Sequence, residues 1–132
     1  MANFTEEEIQ AIWDRARVAE TDPNKGKYYR LDPVDAWMKR DEHGNKEHKM
    51  GWEVDHALPE SKGGEKHPGN LRAMQWENNN RKDNDFPRYT AAVTALGDTN
   101  IDKEQPAVIG EGTLKKLKKI YPNNPHIKKL KL

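Results

Sequence analysis

Few residues in this chain can build a hydrophobic core. Only 33% of its 132 residues are hydrophobic, whereas 34% are charged. A chain of this length is typical of one domain and buries roughly two thirds of its unfolded surface, so the core has to be small. We expect the four tryptophans to supply much of it, because aromatic side chains bury large areas. Cysteine is absent, which excludes disulfide bonds and any zinc site built on cysteine.

Charge is distributed unevenly along the chain, although the net charge is only +1. Residues 1–22 hold two arginines and six acidic residues, whereas residues 113–132 hold seven lysines and no acidic residue. A basic end on a nearly neutral body suits contact with a polyanion, but a solvated helix face followed by a Lys-rich tail has the same composition. No apolar run approaches the roughly 20 residues that span a bilayer, and residues 1–10 lack the apolar stretch of a signal peptide. We therefore expect a cytoplasmic protein with no membrane contact.

Local patterns predict a single α+β domain over residues 1–132. Apolar residues at helical spacing predict a helix over 4–20, with Thr5 and Glu8 as its capping box. Alternation predicts strands at 51–55 and 71–75, followed by a short helix at 76–83. A strand-helix extension is expected from strands at 89–96 and 101–109 and a helix at 113–121. Residues 123–132 are expected to be loosely held.

One group of polar residues falls around these predicted strands. Asp55 and His56 are adjacent at the end of the first strand, Asn70 precedes the second, and Asn79 and Lys82 lie on the short helix. A carboxylate can bind a hard cation, and a neutral imidazole can accept a proton near pH 7. A cation weakens the repulsion between a phosphodiester and an incoming hydroxide. These residue types therefore fit metal-assisted hydrolysis of a phosphodiester.

The same segment resembles the HNH (ββα-metal) endonuclease family, in its small stand-alone bacterial and phage form. The matching residues read GWEVDHALPESKGG, then NLRAM, then NNRKDND, and they span roughly residues 51–85. The resemblance implies a ββα-metal finger that hydrolyses DNA, with RNA as an alternative substrate. It implies one divalent metal ion on Asp55 and Asn79, and His56 as the base that activates water. Asn70 would orient His56 or the loop, and Lys82 would meet phosphate.

Further residues are expected around this centre. Glu53 precedes Asp55 by two positions, so both carboxylates should share one strand face, and Glu53 is a third candidate for the metal shell. Oxygen ligands favour Mg²⁺ or Mn²⁺, with Zn²⁺ or Ni²⁺ as alternatives. The basic residues expected to contact nucleic acid are Lys62, Arg72, Arg81, Lys82, Lys115, Lys116 and Lys119.

The chain departs from the family pattern, and several alternatives stay open. The cysteine pairs that hold a structural zinc in many family members are missing, so packing alone is expected to hold the finger. Asn78 and Asn80 compete with Asn79 as the metal ligand, and only the spacing to Lys82 favours Asn79. His56 considered by itself could be an ordinary polar residue. Two other functional classes remain: a silent nucleic-acid-binding module, and a nuclease subunit active only with a protein partner.

Overall fold

Four short helices and three small sheets make up the architecture. The structure, a computed structural model, describes residues 3–132. In chain order the elements are α1 (Glu6–Asp14), β1 (Tyr29–Leu31), β2 (Trp37–Lys39), β3 (Trp52–His56), β4 (Leu71–Gln75), α2 (Trp76–Lys82), β5 (Arg88–Leu96), β6 (Thr99–Val108), α3 (Glu111–Ile120) and α4 (Pro125–Lys128). The predicted α+β class is thus confirmed. The longest of these helices has ten residues, and no helix in residues 3–132 could cross a bilayer.

Each sheet is an antiparallel pair of strands: β1 with β2, β3 with β4, and β5 with β6. In the β3–β4 pair, Asp55 is opposite Arg72 and His56 is opposite Leu71. Helix α2 follows β4 without a linker, because the Gln75 side chain accepts a hydrogen bond from the N–H of Asn78 and caps the helix. The predicted strand-strand-helix order over residues 51–83 is therefore observed.

Helix α1 has the predicted capping box, but it ends at Asp14 and not at residue 20. The cause is a side chain from a distant strand. Arg30 donates hydrogen bonds to the carbonyl oxygens of Trp13, Asp14 and Ala16, at 3.1, 2.8 and 3.0 Å. These carbonyls lie at or just beyond the end of the helix, where the i+4 partners of an α-helix run out, although that of Trp13 also accepts from the N–H of Ala16 at 2.9 Å. A contact between residues 14 to 17 positions apart could not be predicted from local periodicity.

The buried apolar side chains form two clusters, and the β3–β4 hairpin contributes to both. The first contains Ile9, Ile12, Trp13, Met38, Trp52, Leu71 and Ala73. The second contains Ala57, Leu58, Met74, Tyr89, Ile109, Leu114, Leu117 and Ile127. Two of the four tryptophans, Trp13 and Trp52, are fully buried, whereas Trp37 and Trp76 are half-buried. The hairpin is therefore packed on both sides.

The expectation that residues 123–132 are loosely held was wrong. Ile127, in α4, is completely buried in the second cluster. The Asn124 side chain caps α4 and also donates to the carbonyl of Lys62 at 2.8 Å. One apolar residue among lysines is a weak sequence signal, and only the tertiary fold shows that its side chain reaches the core.

Candidate metal and nucleic-acid site

A small polar cleft lies where the end of β3 faces α2. Its volume is about 250 Å³, and its walls include Asp55 and His56 from β3 and Asn79 from α2. Residues of β3 and of α2 meet here because the chain returns through β4 and α2 then packs against β3. The rest of the wall is also rich in oxygen atoms, supplied by Glu60, Asn80, Asp83 and Asn84.

Asp55 is held by two cations. Its Oδ2 accepts a hydrogen bond from Nε of Arg72 at 2.8 Å, and its Oδ1 lies 3.3 Å from Nζ of Lys82. The carboxylate is only 4% exposed and Lys82 is 0% exposed. Burial lowers the pKa of the Lys82 ammonium, and Asp55 counteracts that effect. Burial also opposes the charge of Arg72, but Asp55 and Tyr89 together outweigh it, so the pKa of the guanidinium is raised.

These contacts correct the roles expected for Lys82 and Arg72. Lys82 was expected to meet phosphate, but its side chain is enclosed and donates to the backbone carbonyl of His56 at 3.1 Å. Arg72 is mostly buried and engaged with Asp55. Both cations position the strand residue that would bind metal. Burial decides the role of both residues. The sequence around Lys82 carries no signal that its side chain is buried.

His56 has an imidazole nitrogen without a hydrogen-bond partner. Its Nε2 atom is buried, and no group among residues 3–132 pairs with it. The ring lies beside Phe4, with 6.2 Å between ring centroids. His56 lines the polar cleft and also a second cleft of about 450 Å³ on its other side. Because buried polar atoms are normally paired, the unpaired nitrogen marks His56 as a residue whose partner is a ligand, water or substrate.

Glu53 is not part of the polar cleft. It lines the second cleft together with His56 and His43. Its Oε1 is buried without a hydrogen bond, and its charged neighbour is Nζ of Lys46 at 3.5 Å. The expectation that Glu53 joins Asp55 in one metal shell is therefore not supported by the positions of the two side chains.

Asn70 closes the loop between the two strands. Its Oδ1 accepts from the N–H of Leu58 at 2.7 Å, and its Nδ2 donates to the carbonyls of Leu58 and Glu65. The side chain is 1% exposed and does not line the polar cleft. Gly64 is needed in the same loop, since a Cβ there would lie 1.7 Å from the Leu58 carbonyl oxygen. Of the two roles expected for Asn70, these hydrogen bonds fit positioning of the loop, and none of them is made to the His56 side chain.

Asn78 is committed to a buried polar network and cannot reach the cleft. Its Nδ2 donates to Asp32 Oδ2 at 3.0 Å and to the Val93 carbonyl at 3.1 Å, and its Oδ1 accepts from the N–H groups of Ala92 and Val93. This removes Asn78 as a metal ligand. Asn79 and Asn80 both line the cleft, and Asn79 is the less exposed of the two.

The network also corrects the expectation that packing alone holds the strand-strand-helix unit. Asp32 accepts hydrogen bonds from the N–H of Gln75, from Asn78 Nδ2 and from two N–H groups of its own loop. Burial raises the pKa of the Asp32 carboxyl, although these four donors stabilise its ionised form. No pattern in the sequence singled out Asp32. Its Oδ2 finds both of its partners, Gln75 and Asn78, far along the chain, so no short pattern carries a signal for this role.

Most of the basic residues expected on nucleic acid have other partners. Arg81 pairs with Glu104 at 2.8 Å and Lys115 pairs with Glu111 at 3.3 Å. Lys62 is half-buried. Lys116 and Lys119 are exposed on α3, and neither has a carboxylate within 4 Å among residues 3–132. Of the seven, these two are the cations best placed to meet a polyanion.

The polar cleft is lined by the oxygen donors that a hard divalent cation prefers. Carboxylate and amide side chains line it, and each oxygen of Asp55 keeps a lone pair beyond the one used by its cation. Within residues 3–132, no three His, Asp or Glu side chains group closely enough to hold a metal by themselves, so Asn79 would be needed. Comparisons of the chain with protein-family models, with curated proteins and with solved structures find no match.

Proposed function

We propose that the protein is a metal-dependent endonuclease of the HNH (ββα-metal) type, which hydrolyses DNA phosphodiester bonds in the cytoplasm. The supporting observation is that Asp55, His56 and Asn79 line one polar cleft although they come from two different elements. The unpaired Nε2 of His56 supports it further. Both features are what metal-assisted hydrolysis needs: oxygen ligands beside a free imidazole.

In this proposal Asp55 and Asn79 hold the ion, with Mg²⁺ or Mn²⁺ favoured by their oxygen donors. A divalent cation bound there supplies Lewis-acid stabilisation of the phosphate and of the leaving oxygen. His56 takes the proton from the attacking water, a role that typically contributes about 10²–10⁴ in rate. Lys82 and Arg72 hold the Asp55 carboxylate in place. Asn70 shapes the loop that follows His56.

DNA binding in this proposal relies on backbone contacts. Lys116 and Lys119 and the lysines near the C-terminus are exposed and offer charge without base readout. RNA is the alternative substrate, because a phosphodiester and a cationic surface do not distinguish the two polymers. The alternative to a self-sufficient enzyme is a nuclease that is active only with a protein partner. The experiment below has a separate outcome for this alternative.

The test is nicking of a supercoiled plasmid by the whole chain in Mg²⁺, Mn²⁺, Ni²⁺ or Zn²⁺, with EDTA as the blank. His56→Ala and Asn79→Ala should each reduce the rate by at least about a hundredfold. His126→Ala is the matched control, because His126 lines neither cleft beside His56. Circular dichroism of each variant shows whether the fold is retained.

The enzyme proposal fails if the wild type and His56→Ala are equally inert in all four metals. DNA binding without cleavage would then favour a silent binding module. Cleavage that needs a cell extract and is lost in His56→Ala would favour a subunit of an assembly. Competition between DNA and RNA of equal length decides the polymer.

A further inference from the structure

A third cleft, lined in part by Arg72, is basic at its rim and apolar on its walls. Its volume is about 470 Å³, within the range of small-molecule sites. It shares no residue with the polar cleft that holds Asp55 and Asn79. Apolar walls come from α1, β1 and β4, chiefly Ile12, Leu31 and Leu71. A site of this kind suits a ligand with one anionic end and one flat, weakly polar end.

Four cations line the cleft, and two of them have no carboxylate partner. Arg17 pairs with Asp35, and Arg72 pairs with Asp55. Arg15 and Lys116 have no carboxylate within 4 Å among residues 3–132. Their charges are therefore available to an anion in the cleft.

Arg15 is pre-positioned for such a role. Its guanidinium donates to the carbonyl oxygens of Pro68 and Leu71, at 3.1 and 3.5 Å. These contacts hold the side chain across the cleft and leave other N–H groups free, since a guanidinium has five. The entropic cost of ordering the Arg15 side chain when an anion binds is small, because the protein already holds that side chain.

The first turn of α3 adds donors on the same wall. Thr113 and Lys116 both line the cleft, and Thr113 lies in the first turn of this ten-residue helix. Gly110, the N-cap, has no side chain to accept from the N–H groups of that turn. Free N–H groups at a helix start, beside an arginine and a lysine, are a common setting for a phosphate.

The one carboxylate on the wall does not oppose an anion. Asp32 is 1% exposed, and both its oxygens are occupied by the four N–H donors described above. We propose that this cleft binds a nucleotide, with its phosphate on Arg15, Lys116 and the start of α3 and its base against the apolar wall. The nucleotide is either free or one unit of a nucleic-acid strand.

The test is isothermal titration calorimetry of the whole protein in EDTA, so that the proposed metal site does not contribute. The probes are AMP, adenosine, inorganic phosphate and a trinucleotide. AMP or the trinucleotide should bind at least about tenfold more tightly than adenosine or phosphate alone, since both parts of the cleft are then used. AMP binding indicates a free nucleotide, and trinucleotide binding without AMP binding indicates a strand.

Two variants and one control show whether the measured heat of binding comes from this cleft. Arg15→Gln and Lys116→Gln should each weaken binding by about tenfold. Lys103→Gln should leave it unchanged, because Lys103 is exposed on β6 and does not line the cleft. Lys116 is exposed, so its substitution does not threaten the fold. The proposal is overturned if neither AMP nor the trinucleotide binds, if phosphate alone binds as tightly as AMP, or if Lys103→Gln weakens binding as much as Lys116→Gln.

Discussion

The ammonium of Lys82 lies 3.3 Å from Oδ1 of Asp55, and both side chains are shielded from solvent. The same ammonium donates to the carbonyl oxygen of His56 at 3.1 Å. One lysine at the end of α2 therefore fixes two successive residues of β3. Its neighbour Arg81 also pairs with a carboxylate, that of Glu104, but on the surface. Both cations pair with a carboxylate, but only Lys82 is buried.

Lys82→Met should lower the free energy of unfolding by about 3–5 kcal/mol, because it leaves a buried carboxylate with one cation fewer. Arg81→Met should lower it by less than about 1 kcal/mol, as expected for a surface pair. Urea unfolding of both variants makes the comparison. Equal losses would show that Lys82 is not a buried partner of Asp55.

Asn78→Ala should lower the free energy of unfolding by at least about 2 kcal/mol, because it removes the acceptor of the Ala92 and Val93 N–H groups and one of the two donors to Asp32 Oδ2. Asn80→Ala is the control, since Asn80 is exposed on the same helix and should change stability by no more than about 0.5 kcal/mol. Chemical denaturation measures both. A loss confined to Asn80→Ala would contradict the network.

Stability should depend on the titration of His43 below neutral pH. Burial lowers the pKa of His43, Arg40 adds to this, and Glu6 and Glu53 oppose it. The pKa of this imidazole is about 6.5 in the unfolded chain, so between the folded and the unfolded pKa the unfolded chain binds more protons than the folded one. The contribution of His43 to stability is therefore present above the unfolded pKa and is lost as the pH falls toward the folded pKa. Urea unfolding at pH 7.5 and pH 5 should show a smaller difference for His43→Gln than for the wild type, and equal differences would contradict this.

Ile127→Ala should lower the free energy of unfolding by about 2–5 kcal/mol, because it empties a fully buried position. Thermal and urea unfolding should agree on the loss. A change below about 0.5 kcal/mol would mean that α4 is not part of the core.

DNA binding should lose salt dependence when Lys128, Lys129 and Lys131 are changed together to Gln. Each lysine that contacts a phosphate contributes about 0.9 to the slope of log K against log salt concentration. Substitution is preferable to deletion of residues 123–132, which would remove Ile127 from the core. The charge-matched control changes three exposed lysines elsewhere, Lys25, Lys27 and Lys103. An equal fall in slope for both triple variants would show that the C-terminal lysines have no special part.

The sequence predicted the elements that follow local rules. The capping box of α1, the β3–β4 pair and the start of α2 all agree with periodicity and capping. The end of α1 was wrong because it depends on Arg30, which reaches the helix from another strand. Local patterns are reliable where local interactions decide the conformation.

The site shows the same division. The family resemblance predicted that Asp55, His56 and Asn79 would come together, and they line one cleft. It could not distinguish a lysine on the surface from one in the interior, so Lys82 was assigned to phosphate. Nor could it reveal Asp32, because two of the four partners of its side chain lie more than 40 residues away. Both depend on tertiary burial, which a single sequence does not encode in any short pattern.

The second apolar cluster has a consequence for when the site can exist. Leu58 follows β3 and Met74 lies in β4, and both belong to the same buried cluster as Ile109, Leu117 and Ile127. A nascent chain that has left the ribosome as far as residue 85 therefore has every element of residues 51–85 but lacks part of the core on which they pack. Residues 51–85 grafted into another scaffold should therefore not keep the geometry of the polar cleft. During synthesis, the cleft can become rigid only after α3 and α4 have been made.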